Sequence, residues 1–187
     1  MLNDLKQTPA GTLNIDWDFV EAKLGFQLHD NIKNYFSRIS GTYSINGLME
    51  YDPVEFSKES ISKEAWLENA SEKRGFADYV LCLLNDIDSE SVYNRLYDLF
   101  FGDWTGGNDF GHRAYVGEII INIGQITIVF NNDTGRFEWA DFGYGYFDVY
   151  EENPYGIIAD TTEELLEKIH IDEAILAELA SFEEEDE

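Results

Sequence analysis

A single cysteine, Cys82, excludes an intramolecular disulfide, and its place inside a helix-like apolar pattern marks it as a small buried thiol. Basic residues are scarce as well: 12 Lys+Arg stand against 38 Asp+Glu, for a net charge of -26 and a pI near 4.1. Such a surface repels phosphate backbones and anionic lipid, so no direct nucleic-acid ligand and no membrane partner is expected. The deficit is uneven, at -7 over residues 1–95 and -19 over residues 96–187. No run approaches the roughly 18 apolar residues of a membrane-span candidate. The opening MLNDLKQTPAGTLNID lacks the apolar core of a signal peptide. The expected location is the cytoplasm.

Site-forming motifs are missing too. His29, His112 and His170 are scattered, and no HExxH, paired CxxC or Cys/His spacing offers a metal site, so neither a metal nor a cofactor is expected. Asn131, Asp133 and Gly135 mimic the opening of a calcium loop, but Phe142 stands where that loop needs a bidentate Glu, and a hairpin turn explains the same residues. Asp141-Phe142-Gly143 copies a kinase triplet without the nucleotide loop or strand lysine that would give it meaning. The glycines at 102, 106, 107 and 111 have no lysine beside them and are crowded by Asp103, Trp104 and Asp109, which favours a mobile binding loop over a phosphate cradle.

What is present is 187 residues, 44% hydrophobic and 15% aromatic, enough for one buried core. The chain is organised around Ala114–Trp139, which reads as successive antiparallel strands. Ile119, Ile121 and Ile123 alternate, Gly124 permits a turn or bulge, and Ile126, Ile128 and Phe130 resume the period of two before the turn Asn131–Gly135. Phe137 and Trp139 extend that apolar face; Ile120, Thr127 and Val129 fall on the other, which is only partly polar and calls for a cover of its own.

Helices flank this stretch. Asp16 caps one running to Leu24, with Ile15 and Val20 as a staple, Trp17, Val20 and Leu24 as its stripe, and Gly25 as its stop. Asp30 caps a second carrying Ile32, Tyr35, Phe36 and Ile39, closed by Gly41. Asn46-Gly47 reads as a hairpin turn between short strands. Residues 57–101 read as helical: a weak helix over Lys63–Ala70, a strong stripe of Phe76, Tyr79, Val80, Leu83, Leu84 and Ile87, and a third helix capped by Ser89 with Val92, Leu96 and Leu99. Thr161 and Glu164 form a capping box opening a helix through Leu165, Leu166 and Ile169, and a last helix carries Ile175, Leu176 and Leu179. The expected fold is α+β: one domain over 14–182 with a central antiparallel-rich sheet flanked by helices, a helical insertion at 57–101, a loose leader at 1–13 and an acidic tail at 183–187.

In that order the elements resemble the SUKH superfamily. Its opening signature is an acidic residue on the first helix, then Leu-Gly, a link to Leu-Pro, an aromatic-bearing helix and an Asn-Gly turn. The matching residues are Glu21, Leu24-Gly25, Leu28, Tyr35-Phe36 and Asn46-Gly47, with His29 in place of the proline. Gly124–Trp139 resembles the central strands of the family, and Tyr155–Ala159 leading into Thr162–Leu165 resembles its closing segment, while residues 57–101 look like an insertion. The resemblance implies a scaffold whose bacterial members are mostly immunity proteins, which bind and neutralise a cognate toxin, often a nuclease, and are not enzymes. Other relatives are thought to bind the protein-export channel or to regulate cell-wall synthesis, so the family names a binding scaffold more securely than one target.

The expected partner is therefore a cognate toxin domain of basic, nuclease type. The expected binding residues are Asp103, Trp104, Asp109, Glu138, Asp141, Tyr146, Asp148, Tyr150, Glu151 and Glu152, where aromatics interleave with acids to make anchors within a charged surface. The plainer reading of the same residues is that the aromatics pack beneath a loop and the acids are solvated. A protein-interaction adaptor or regulator on the same scaffold is the alternative function. A carboxylate-pair hydrolase, with Asp103, Asp109, Glu138 and Asp141 converging at an aromatic cleft, is the enzymatic one.

Overall fold

Six strands joined in chain order form one antiparallel sheet in the computed structural model, which describes residues 2–38, 44–51, 75–107, 109–121, 124–140 and 155–168. They are β1 (Ser44–Tyr51), β2 (Gly75–Cys82), β3 (Arg113–Ile121), β4 (Gly124–Asn131), β5 (Arg136–Ala140) and β6 (Tyr155–Ala159). Five helices accompany them among the described residues: α1 (Leu2–Gln7), α2 (Trp17–Leu24), α3 (Asp30–Phe36), α4 (Ser89–Phe101) and α5 (Thr162–Lys168). The fold is α+β, a sheet flanked by helices.

The period of two in β4 and β5 fixes the core. Phe130 pairs with Ala114 on one side and Phe137 on the other, and Ile128 pairs with Trp139, so these five side chains share one face and all are buried. On that face they join Val20 of α2, Ile32, Tyr35 and Phe36 of α3, Val92, Leu96 and Phe100 of α4, and Leu165 and Leu166 of α5. Phe130 and Phe137 meet edge to face at 5.1 Å. The phenol of Tyr35 lies 6.0 Å from the Phe137 ring and donates to the Cys82 carbonyl at 2.9 Å, so the helix layer is tied to the sheet by packing and by one buried polar bond.

The second face is buried as well, at Thr127, Val129, Glu138 and Ala140. A bulge between Tyr115 and Gly117 gives this face its local character. Without it, Tyr115 and Glu118 would point to opposite sides of β3; with one residue inserted they share a side, and the Tyr115 hydroxyl donates to Glu118 Oε2 at 3.1 Å.

Local signals account for most element ends. Asp16 caps α2 by accepting from Phe19 N, and Gly25 ends it in the left-handed conformation at φ 85°. Gly135, at φ 73°, closes the β4–β5 turn, where Asn131 Oδ1 accepts from the N–H groups of Asp133 and Thr134. At α5, Thr161 Oγ1 accepts from Glu164 N, and the Glu164 carboxylate reaches back to the N–H of Asp160.

Five expectations are corrected. The apolar run assigned to a strong helix at Phe76–Ile87 is β2, and Cys82 ends that strand. A strand inside a sheet reads as continuous apolar sequence, which also satisfies helical spacing, and Leu81, Cys82, Leu83 and Leu84 are buried in succession as a one-faced helix would not allow. The segment 57–101 is therefore not a helical insertion: it holds β2, a short link over 83–88 and α4, while 57–74, including Lys63–Ala70, lies outside the described residues. Asn46-Gly47 is no turn; it lies mid-strand in β1 opposite Val80 and Tyr79, so cross-strand pairing overrides its turn preference. The leader is docked: Leu5 of α1 is fully buried, Gly11 N donates to Ser37 Oγ, and Arg38 Nη1 donates to Thr8 O. Caps move by one residue at two helices, where His29 Nδ1 accepts from Asn31 N at α3 and Asp88 accepts from Ser91 N at α4, in place of Asp30 and Ser89. Ile39, Gly41, Ile123, the helix at Ile175–Leu179 and the tail at 183–187 lie outside the described residues.

Candidate partner-binding site

The apolar residues of α4 exceed what one face can bury. Val92, Leu96, Leu99 and Phe100 turn into the core. Tyr93, Tyr97 and Phe101, spaced at i, i+4 and i+8, are left along the outer edge, where Tyr97 is 46% and Phe101 43% exposed. Their rings follow one another at 5.9 and 5.3 Å. Phe101 then meets Phe26 at 6.2 Å, and Phe26 stacks on the His112 imidazole at 4.6 Å, so the aromatic edge continues past the helix end. His112 Nδ1 lies 2.9 Å from Asp133 Oδ1 in the β4–β5 turn.

Beyond α4 the chain turns sharply at Gly102, where a β-carbon would collide with the Asp98 carbonyl, and passes through one turn of 3-10 helix at Asp103–Thr105. The loop folds back through Trp104, whose indole stacks on Phe110 at 5.4 Å, approaches Tyr115 at 6.1 Å, and donates from Nε1 to Leu99 O at 2.8 Å. Between this loop and α4 lies a groove of about 270 Å³ lined by Phe100, Phe101, Phe110 and Asp109 together with Thr105, Gly107 and Gly111. Asp109 is oriented there by the Gly111 N–H, which its Oδ1 accepts at 2.9 Å.

Of the expected site residues, Asp103, Trp104 and Asp109 come together in this loop, with the two acids exposed and Trp104 half-buried beneath them. Trp104 thus serves the loop in the way the plainer reading expects. Glu138 does not reach the surface; it is 8% exposed, with one carboxylate oxygen 2.8 Å from Arg113 Nε and the other 2.9 Å from Asn131 Nδ2. Arg113 also donates to Phe110 O at 3.1 Å and stacks over the Tyr155 ring at 4.1 Å, so Glu138 anchors the loop to the sheet through an intermediary. Burial pushes the Tyr155 hydroxyl above its ordinary pKa despite the Arg113 charge, and burial followed by the Glu118 charge does the same at Tyr115. Both oxygens of Glu138 are thus engaged in holding the loop to the sheet. Asp141, Tyr146, Asp148, Tyr150, Glu151 and Glu152 lie outside the described residues.

Tyr93, Tyr97 and Phe101 do not stand out in the sequence, because Val92, Leu96 and Leu99 already supply a complete buried stripe for this helix. The surplus of aromatics on the same helix was the available signal. Among the described residues no group of three His, Cys, Asp or Glu side chains is placed to share a metal ion, and no helix is long and apolar enough to cross a membrane. Compared with protein-family models, with curated proteins and with solved structures, the chain matches none.

Proposed function

We propose that this protein is a cytoplasmic, non-enzymatic binding module of the SUKH type that acts as an immunity protein, covering the basic surface of a cognate toxin domain. The observation that carries this reading is the exposed aromatic edge of α4 at Tyr97 and Phe101, continued by the groove against Phe110 that Asp109 lines, with Asp98 and Asp103 exposed on α4 and in the turn that follows it. Exposed aromatics anchor protein interfaces because they bury large area at little conformational cost, and a carboxylate rim steers a cationic partner toward them. A nuclease must present cations to hold phosphate, so a chain of net charge -26 is complementary to its active face.

Co-expression with a basic toxin domain, sought first in the open reading frames that neighbour this gene, tests the reading. The wild-type chain should protect the cell and form a complex, and the double variant Tyr97→Ala, Phe101→Ala should do neither. An adaptor using the same surface would bind basic proteins without relieving toxicity. Full protection by the double variant with unchanged affinity would show that another face is used.

A further inference from the structure

One arrangement occurs twice along α4. Near its start, Glu90 and Tyr93 stand three residues apart, and the ammonium of Lys23 from α2 sits on both: Nζ is 4.3 Å from the centre of the Tyr93 ring and 2.6 Å from Glu90 Oε1. The Phe19 ring lies on the same ammonium at 5.4 Å. Near its end, Asp98 and Phe101 repeat the acid and aromatic at the same spacing, and Tyr97 supplies the second ring, 5.3 Å from Phe101. Positions three apart on a helix are neighbours with a fixed offset, so the spacing of acid and ring that holds Lys23 recurs about 12 Å further along the axis. At this second place both rings are exposed, Asp98 is exposed, and among the described residues no cation lies over Phe101 or pairs with Asp98.

We infer that Tyr97, Asp98 and Phe101 form a seat for a lysine side chain of a partner protein, built like the one that Lys23 fills at Glu90 and Tyr93. The ring faces attract the ammonium through their quadrupoles and Asp98 neutralises it, while the groove beside Phe101 takes an apolar side chain next to that lysine. The occupant is thus a segment in which lysine alternates with apolar residues. This deepens the reading of a basic protein partner, and it rests on that reading only for the identity of the partner.

The test uses the full chain and a synthetic peptide alternating lysine with leucine, followed by NMR. The ε-methylene protons of a peptide lysine should shift upfield under the ring currents of Tyr97 and Phe101. Phe101→Leu, which keeps apolar volume and removes the ring, should weaken binding roughly two- to fivefold and reduce that shift. Asp98→Asn should weaken binding while leaving the residual shift in place. Lys23→Met should vacate the first seat and add a second ring-shifted lysine. Undiminished upfield shifts in the double variant Tyr97→Leu, Phe101→Leu would overturn the seat, as would a wild-type chain that shifts no peptide lysine. Loss of peptide binding in Phe101→Leu with the toxin still neutralised would uphold the seat and detach it from the toxin, whereas loss of both would support the two readings together.

Discussion

Asn132, in the turn between β4 and β5, grips the loop between α2 and α3 with both ends of its amide: Oδ1 accepts from His29 N at 2.8 Å and Nδ2 donates to Gln27 O at 2.8 Å. Asn31 closes the same junction from the helix side, donating to the carbonyls of Gly135 and Asp160. The His29 ring packs against Gly135, where a β-carbon would overlap it. Asn132→Ala strands a donor and an acceptor in a nearly buried site, so it should cost about 1–3 kcal/mol for each group that water cannot reach. Urea denaturation measures this, and Asn132→Asp, which keeps the acceptor, should retain part of the loss. An unchanged midpoint in Asn132→Ala would mean that water replaces the amide freely.

Gly156 and Trp139 make the second close approach. They pair across β5 and β6, and any β-carbon at Gly156 would run into the indole. Gly156→Ala should therefore destabilise by about 1–3 kcal/mol through overpacking. Combined with Trp139→Phe, which makes room, the cost of the added methyl should fall, and a double-mutant cycle reads that coupling directly. Strict additivity would place the strain elsewhere.

How far these relations could be read from the sequence depends on how local their causes are. Ile128, Phe130, Phe137 and Trp139 announce a strand face by period alone, and Asp16, Gly25 and the Thr161–Glu164 pair announce helix ends because their partners lie within a turn. Gly75–Cys82 could not be read so, since a run of apolar residues has one meaning in a helix and another between two strands, and only its pairing with β1 on one side and β3 on the other decides. Leu5 was hidden for the opposite reason: a six-residue helix whose apolar residues are Leu2 and Leu5 is too short to show a period. In the candidate site, Asp103, Trp104 and Asp109 stood out by type, but the burial of Glu138 under Arg113 depends on strands brought together from distant parts of the chain.

Cys82 offers a probe of opening. Burial pushes its thiol above the usual cysteine range, against the lowering effect of the Arg95 charge and hydrogen bond. A protonated, enclosed thiol is inert. The folded protein should leave a disulfide reagent unreacted at mildly alkaline pH, and labelling should rise with urea in step with unfolding. Rapid labelling without denaturant would show that the end of β2 opens locally.

Glu163 ties stability to pH. It accepts from Asn34 Nδ2 at 3.1 Å and pairs with the buried Arg38. Burial alone would raise its carboxyl, but the Asn34 hydrogen bond, its own backbone N–H and the Arg38 charge outweigh burial and hold the group below its ordinary value of 4.5. A carboxyl depressed in the folded state adds stability above its unfolded pKa and loses it as pH falls through the lower folded value. Glu163→Gln should thus be less stable than wild type at neutral pH, and the gap should close on acidification below about pH 4. A gap that is constant from neutral to acid would mean that the ionised form makes no contribution.

The binding surface makes a kinetic prediction in which acids and aromatics play separate parts. Asp109 lines the groove and Asp103 is exposed in the same loop, neither held in an ion pair among the described residues, so their field acts at a distance and falls with screening, over about 8 Å at physiological ionic strength. Tyr97 and Phe101 act only on contact. Reversing Asp103 and Asp109 to Lys should slow association with a basic toxin domain and flatten its dependence on salt. Phe101→Ala should leave association nearly unchanged and speed release, by about 2 kcal/mol if the ring is a hot spot. Trp104→Ala should behave differently from both, because the indole is bonded to Leu99 O and stacked on Phe110, and its loss should lower melting temperature as well as affinity. Surface plasmon resonance over a range of salt, paired with thermal melts of each variant, separates the three. Faster release in the charge-reversed protein with association untouched would reverse these roles and place the acids at the contact itself.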